Sequence, residues 1–306
     1  MRSFLFVPAD SERNLSKCLQ SGADAIILDL EDSVTPDRKG AARSNAAAFL
    51  GCKTDVGSET RTSPPRPRIY VRINDLQSDL WGTELEAVAG AEPDGIILPK
   101  PRSGLDIQTV CSELISLEQN AAAPGAIEII AIVTETAESL LNMASYIGAS
   151  PRLTGLCWGG EDLSAVLGAE DNRDTAGRYT SPYLMARTLS LITAAAVEAQ
   201  AIDSVFTNFR DDDGLKAEAE EAVRDGFTGK LAIHPAQVPI INNVFTPSRA
   251  AIEAAKRIVA VFEERRDHGA VSLDGRMIDR PHLIRAQKLL ERASLAAGRS
   301  NNGRKD

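Results

Sequence analysis

The sequence predicts an α/β protein folded as a closed (β/α)8 TIM barrel with a C-terminal helical extension and closing loop. Three observations carry this. Eight short apolar runs alternate with segments of helical spacing along 306 residues. The most apolar of them, Ile127–Val133, reads as a strand buried on both faces, as parallel strands under covering helices are. The Gly-x-Gly-x-x-Gly turn of an open dinucleotide-binding sheet follows none of the strands.

In order, Ser3–Val7 is the first strand and Ser11–Ser21 a helix with Ser11 as N-cap. Ala25–Leu30 is the second strand, and Pro36–Leu50 is helical. Gly51–Pro67, rich in Gly, Ser, Thr and Pro, is an exposed loop. Arg68–Ile73, Gly95–Leu98, Ile127–Val133 and Leu153–Trp158 are strands three to six. Helices at Trp81–Ala89, Ser103–Gln119 and Ala137–Met143 separate them. Ser181–Ala199 is a long helix, Ala201–Phe206 strand seven, Asp211–Asp225 a helix, and Lys230–Ile233 strand eight. Pro247–Arg266 is a strong amphipathic helix. These elements divide the chain into a barrel domain at 1–266, a loop and helix at 267–296, and a polar tail at 297–306 expected to be disordered. Within the middle piece Asp267–Arg280 is read as loop and Pro281–Ala296 as helix.

A formal net charge of −9 argues against nucleic acid or an anionic membrane as partner. No apolar run approaches the ~20 residues of a membrane span. The opening MRSFLFVPAD reads as a strand and not as a secretory signal. Cys18, Cys52, Cys111 and Cys157 lack the paired spacing of a disulfide or zinc framework, so a reduced cytoplasmic protein is expected.

Barrels of this type gather their chemistry at the C-terminal ends of the strands. Asp10 follows strand one in the segment FVPAD, beside Pro8. Asp29, Glu31 and Asp32 end strand two, Arg72 and Asn74 strand three, and Lys100 strand four. Glu135 and Asp162 end strands five and six, Asn208 follows strand seven, and His234 with Pro235 follows strand eight. Carboxylates from neighbouring strand ends suit a hard cation such as Mg²⁺, which takes one or two of them and fills its shell with water or substrate oxygens. Against this stands the plainer reading in which Glu135 caps a helix and Asp162 accepts from loop amides. The concentration of charge on one rim favours function. Of Asp29, Glu31 and Asp32, at least one is expected to pair with Arg72 or Lys100 across the mouth and another to support the metal from behind. Arg72 is the only strand-end arginine, and its planar fork suits a carboxylate or enolate oxygen. His234 reads as a loop histidine bonded to backbone, Trp158 as packing, and Gly159–Gly160 as a place of close backbone approach.

These residues fall in segments that resemble the citrate lyase beta-subunit-like family of CoA-ester lyases, which includes malyl-CoA and citramalyl-CoA lyases. The matching pieces are RSFLFVPAD, GADAIILDLEDSV, YVRIN, DGIILPK, IVTET, GGEDL, RYTSP, KLAIHPAQ and DGRMID, in order over almost the whole chain. The resemblance implies a Mg²⁺-dependent enzyme that assembles as a homo-oligomer, a trimer or hexamer. It implies Glu135 and Asp162 as metal carboxylates and Arg72 as the substrate-binding arginine. Asp279 matches the catalytic aspartate, often delivered from a neighbouring subunit. Pro8, Asp10, Lys100, His234 and Pro235 fall to the substrate and CoA surface. The implied reaction is cleavage or formation of a 3-hydroxyacyl-CoA such as malyl-CoA or citramalyl-CoA, giving acetyl-CoA plus glyoxylate or pyruvate. A citrate lyase beta subunit acting on an acyl-carrier-protein thioester and a malyl-CoA-type thioesterase are the alternatives. An aldolase on free oxo-acids is disfavoured by the DGRMID segment. Two departures stand out: Ala9 where many relatives carry Gly, and the long loop Gly51–Pro67.

Overall fold

Eight parallel strands close into a barrel in chain order: β1 (Ser3–Pro8), β2 (Ala25–Asp29), β3 (Arg68–Arg72), β4 (Gly95–Leu98), β5 (Glu128–Ile132), β6 (Leu153–Cys157), β7 (Gln200–Asp203) and β8 (Gly229–Ala232). The last strand returns to the first, with Phe4 opposite Leu231. The structure, a computed structural model, describes residues 1–52, 66–120, 124–264 and 269–300. Most of the expected loop Gly51–Pro67 lies outside them, and Gly51 itself closes a helix.

The helices are α1 (Glu12–Cys18), α2 (Lys39–Gly51), α3 (Trp81–Ala89), α4 (Gly104–Leu117), α5 (Ala137–Leu141), α6 (Glu161–Leu167), α7 (Ser181–Ala196), α8 (Asp212–Asp225), α9 (Gln237–Phe245), α10 (Arg249–Glu264) and α11 (Arg280–Ser300). Ser11, Ser103 and Thr136 cap α1, α4 and α5 through their hydroxyls. Thr136 therefore takes the capping role that one reading gave to Glu135. Among the described residues, no helix is long and apolar enough to cross a membrane.

The period of two along each strand divides the apolar residues into two cores. Phe4, Ala25, Ile27, Tyr70, Ile97, Ile130, Ile132, Cys157, Ile202 and Leu231 fill the barrel interior. Their neighbours Leu5, Ile26, Leu28, Val71 and Ile96 point outward under the helices. Gly95 makes room for the interior Tyr70, since a Cβ there would sit 2.5 Å from the ring. Tyr70 donates to Glu128 at 2.8 Å, so its hydroxyl is satisfied at the closed end.

Several segments differ from the sequence reading. Gln237–Phe245 forms α9, which was not expected, and Glu161–Leu167 forms α6. The helix expected over Ala137–Met143 ends at Leu141 and resumes as a 3-10 turn at Met143–Tyr146. The expected loop Asp267–Arg280 holds an antiparallel hairpin, β9 (Ala270–Leu273) with β10 (Arg276–Asp279), joined by Asp274–Gly275. Helix α11 runs through Ser300, so the expected disorder fails for residues 297–300, while 301–306 lie outside the described residues. The four cysteines are free.

Candidate active site

The inward-facing rows that carry Tyr70 and Ile27 inside the barrel carry Arg72 and Asp29 at its mouth, two residues further on. They stand at one register position on adjacent strands, with Pro8 next in line on β1. Arg72 donates from Nε to Asp29 Oδ1 at 2.6 Å and from Nη2 to Oδ2 at 2.7 Å. Its Nη1 lies 2.8 Å from Glu31 Oε2, an ion-pair contact outside hydrogen-bond geometry, and Phe6 supports the guanidinium plane at 4.7 Å. Burial alone would lower the pKa of Arg72, but Asp29 and Glu31 raise it, and the group is held charged. Burial pushes Asp29 upward, and the Arg72 hydrogen bonds and charge bring it below its ordinary value.

Lys100 forms the second tie. Its ammonium contacts Glu31 Oε1 and lies 3.1 Å from Asp32 and 3.3 Å from Asp162. Its backbone has φ 49°, a left-handed conformation costly for a residue with a side chain. In that conformation its N–H donates to Glu135 Oε2 at 2.8 Å. The pairing expected of at least one among Asp29, Glu31 and Asp32 is thus made by all three.

Glu135 and Asp162 line the same pocket as Arg72, a cleft of about 300 Å³ with Ile132, Trp158, Val205 and Leu231 as its apolar wall. The Thr134 hydroxyl fixes the strand end beneath Glu135. It accepts from the Gly159 N–H at 2.8 Å and donates to the Gly159 carbonyl at 2.9 Å, clamping β5 to β6. Gly159 passes so close that a Cβ there would stand 3.2 Å from Glu135 Cγ. Trp158 is fully buried, donates to Asp203 at 2.7 Å and meets Tyr179 edge-on, which is packing as expected.

Five carboxylates (Asp29, Glu31, Asp32, Glu135 and Asp162) meet two cations here, Arg72 and Lys100. Burial and the excess negative charge together raise two of these carboxyls. Burial, then the charges of Asp162 and Glu31, push Glu135 up to about 8. Burial likewise leads in raising Glu31 to about 7, against the pull of Arg72 and Lys100. Among the described residues no three His, Cys, Asp or Glu side chains stand together as a full protein cage for a metal. Two carboxylates in a cation-poor cleft with room for a ligand is instead the donor set Mg²⁺ favours, and the residues fit that ion.

Other expected site residues lie apart. Pro8 lines the cleft, but Asp10 turns to Arg38, 3.6 Å away. His234 and Pro235 are exposed on the rim; the His234 ring stacks on Phe209 at 5.0 Å and its Nδ1 accepts from Ala236 N–H. Asn74 is used structurally, bonded to Glu84, Leu30 and Lys39. Asp279 does not reach the cleft, whose lining ends at Ile233. It sits on β10 with its carboxylate 2.5 Å from His282. Helix α11 faces the opposite end of the barrel, where it lines a cavity of about 880 Å³ with Met1, Asp24, Gln200 and Thr228.

Sequence reading did not single out the buried charges behind the cleft. Lys230 donates to Asp203 at 2.6 Å, to the Ser204 carbonyl at 2.8 Å and to Glu218 at 2.9 Å. The only sequence signal was a lysine inside an apolar strand.

Residues 2–235 match the model of the HpcH/HpaI aldolase/citrate lyase family. The chain is 37% identical over 298 residues to a (3S)-malyl-CoA thioesterase of Cereibacter sphaeroides, covering 97% of this chain and 95% of that one. It is 33% identical over 306 residues to the mitochondrial citramalyl-CoA lyase of Mus musculus, covering 96% and 86%. Among solved structures, CitE from Mycobacterium tuberculosis in complex with magnesium, acetoacetate and coenzyme A superposes with a TM-score of 0.75 at 31% identity, covering 96% of this chain and 98% of that one.

Proposed function

The chain belongs to the HpcH/HpaI aldolase/citrate lyase family, and on that premise we propose that it is a Mg²⁺-dependent carbon–carbon lyase acting on a 3-hydroxyacyl-CoA. Malyl-CoA and citramalyl-CoA are the substrates to expect, giving acetyl-CoA with glyoxylate or pyruvate. The observation that carries this is the cleft itself, where Glu135 and Asp162 face a charged, fully oriented arginine.

Glu135 and Asp162 would hold the Mg²⁺, which when bound supplies Lewis-acid polarisation of the oxygens of the oxo-acid half. Arg72 keeps N–H groups beyond those spent on Asp29, and they stabilise the enolate oxygen of the departing thioester, a charge present chiefly in the transition state. Asp29 and Glu31 hold that guanidinium still. Lys100 fixes Glu135 through its backbone N–H and neutralises Glu31 and Asp32. The apolar wall of Ile132, Val205 and Leu231 keeps the thioester end dry. Asp279 supplies the base for the hydroxyl proton from a second copy of the chain, because its own segment lies away from its own cleft. Pro8 and the rim residues His234 and Pro235 serve the CoA moiety, with Asp10 holding the rim through Arg38. Four free cysteines agree with a thiol-reducing cytoplasm.

A thioesterase reading is favoured by one observation, the 37% identity to the enzyme of that name. Incubation with malyl-CoA and citramalyl-CoA, with Mg²⁺ or a chelator, separates the two. Chelator-sensitive oxo-acid without free thiol supports the lyase. Free thiol without oxo-acid supports the thioesterase, and neither product from either ester refutes both.

A further inference from the structure

Helix α11 carries a row of cations on a side that does not face open water. Arg285, Lys288 and Arg292 stand three and four positions apart, so they share one side of the helix. All three line the cavity of about 880 Å³ between α11 and the closed end of the barrel, with Leu289 and Ala296 beside them. Arg224, in the last turn of α8, adds a fourth cation to the same cavity. An amphipathic helix ordinarily turns its apolar stripe inward and leaves its charges to water. Among the described residues none of these four cations forms an ion pair. Arg292 is the clearest case. Its side chain is half-buried and has no acceptor among the described residues, and burial, with no neighbouring charge against it, moves it below its ordinary value.

The acids of the cavity do not answer this row. Asp24 is taken by Arg2, with contacts of 2.7 to 3.0 Å, and Asp225 by Arg187 at 2.5 Å. Glu198 and Glu291 remain, two acids against four cations, in a chain whose net charge is −9. A guanidinium withdrawn from water without an acceptor is costly, and its planar fork matches a pair of phosphoryl oxygens. From Arg285 to Arg292 the helix rises roughly 10 Å at 1.5 Å per residue, more than a single phosphate spans. We propose that this cavity is a binding site for a small anion carrying two or more phosphoryl groups, held by Arg292 with Lys288, Arg285 and Arg224. The site lies at the opposite end of the barrel from Glu135 and Asp162 and does not rest on the reading of that cleft. Bound there, the anion bridges α11 to the end of α8.

The test uses the full-length chain, stripped of metal and dialysed free of chelator, since either would compete. Calorimetric titration with tripolyphosphate, pyrophosphate and orthophosphate compares wild type with Arg292→Gln, Lys288→Gln and Lys216→Gln. Lys216 is an exposed lysine of α8 outside the cavity. One saturable site is expected for tripolyphosphate, tighter than for orthophosphate. Arg292→Gln and Lys288→Gln should each weaken it about ten- to a hundredfold, the worth of a charge-assisted hydrogen bond, while Lys216→Gln leaves it unchanged. Absent or unsaturable binding, equal weakening by all three variants, or binding that Arg292→Gln leaves intact each overturns the proposal. Orthophosphate held as tightly as tripolyphosphate overturns the assignment to a polyphosphoryl ligand. Melting temperature gives a second readout. Tripolyphosphate should raise it in wild type and not in Arg292→Gln. Without ligand, Arg292→Gln should melt no lower than wild type, because it removes an unpaired charge. A clear drop there means that the guanidinium already has its partner within the protein, and the proposal fails.

Discussion

Arg72 and Asp29 occupy one register position on adjacent strands, and the guanidinium fork closes on the carboxylate through two hydrogen bonds of 2.6 and 2.7 Å. Neither group is free to rotate, and a lysine cannot reproduce the paired contact. Arg72→Lys is therefore expected to fold and to lose about 10²–10³-fold in kcat. Arg72→Ala leaves Asp29 buried without its partner and should cost ~3–5 kcal/mol in denaturant unfolding. Because Asp29 is held below its ordinary value, its contribution is present above about pH 4 and is lost as pH falls further; Asp29→Asn should remove that part of the acid-unfolding curve.

Glu135 gives a pH dependence of the opposite sign. Its raised value, about 8, favours the protonated folded state, so metal-free protein loses stability from this group as pH rises from the ordinary carboxylate range toward 8. Mg²⁺ must displace that proton, and its affinity should climb with pH and level off above about 8. Calorimetry in buffers of different ionisation enthalpy would count the proton released. Glu135→Ala should abolish the binding, and retention of Mg²⁺ by it would refute the assignment.

Gly159→Ala tests the fit around that carboxylate without touching it. The added methyl would meet Glu135 Cγ at 3.2 Å and Oε1 at 3.4 Å, pushing the side chain from its seat. Mg²⁺ affinity is expected to fall ten- to a hundredfold with little change in melting temperature. Unchanged affinity in a titration would show that the carboxylate has room to spare.

Lys230→Met should be about as destabilising as Arg72→Ala, at ~3–5 kcal/mol, because it removes the buried cation that Asp203 and Glu218 share. Asp203 also anchors the Trp158 indole, so tryptophan fluorescence should shift along with the unfolding midpoint.

How far the sequence could be read depended on what each residue's role requires. The barrel was legible because strand burial needs only local apolar runs, and Trp81–Ala89 and Gly95–Leu98 fall at the limits read for them. The cleft was legible as a list of strand ends. Its connections were not, since Lys100 reaches Asp32 and Asp162 from 68 and 62 positions away and no local pattern encodes that. Helix α9 was missed because Pro239 reads as a breaker, although it is the third helical residue, where the N–H has no partner in any case. The β9–β10 hairpin did carry a signal, the Asp274–Gly275 pair that a two-residue turn with φ of 52° and 75° requires. Its short, exposed strands hid it.

The five carboxylates facing two cations at the barrel mouth also bear on the sequence of arrival at this site. Malyl-CoA and citramalyl-CoA carry phosphates at one end and a carboxylate at the other, and the carboxylate end meets a rim of its own sign, a repulsion that reaches about 8–10 Å at physiological salt. A doubly charged cation is drawn to the same rim and reverses much of that field once it settles. The metal-free protein should thus meet its substrate more slowly than the loaded protein, with the cation favoured as the first arrival. Added salt should then speed the encounter of substrate with the bare mouth.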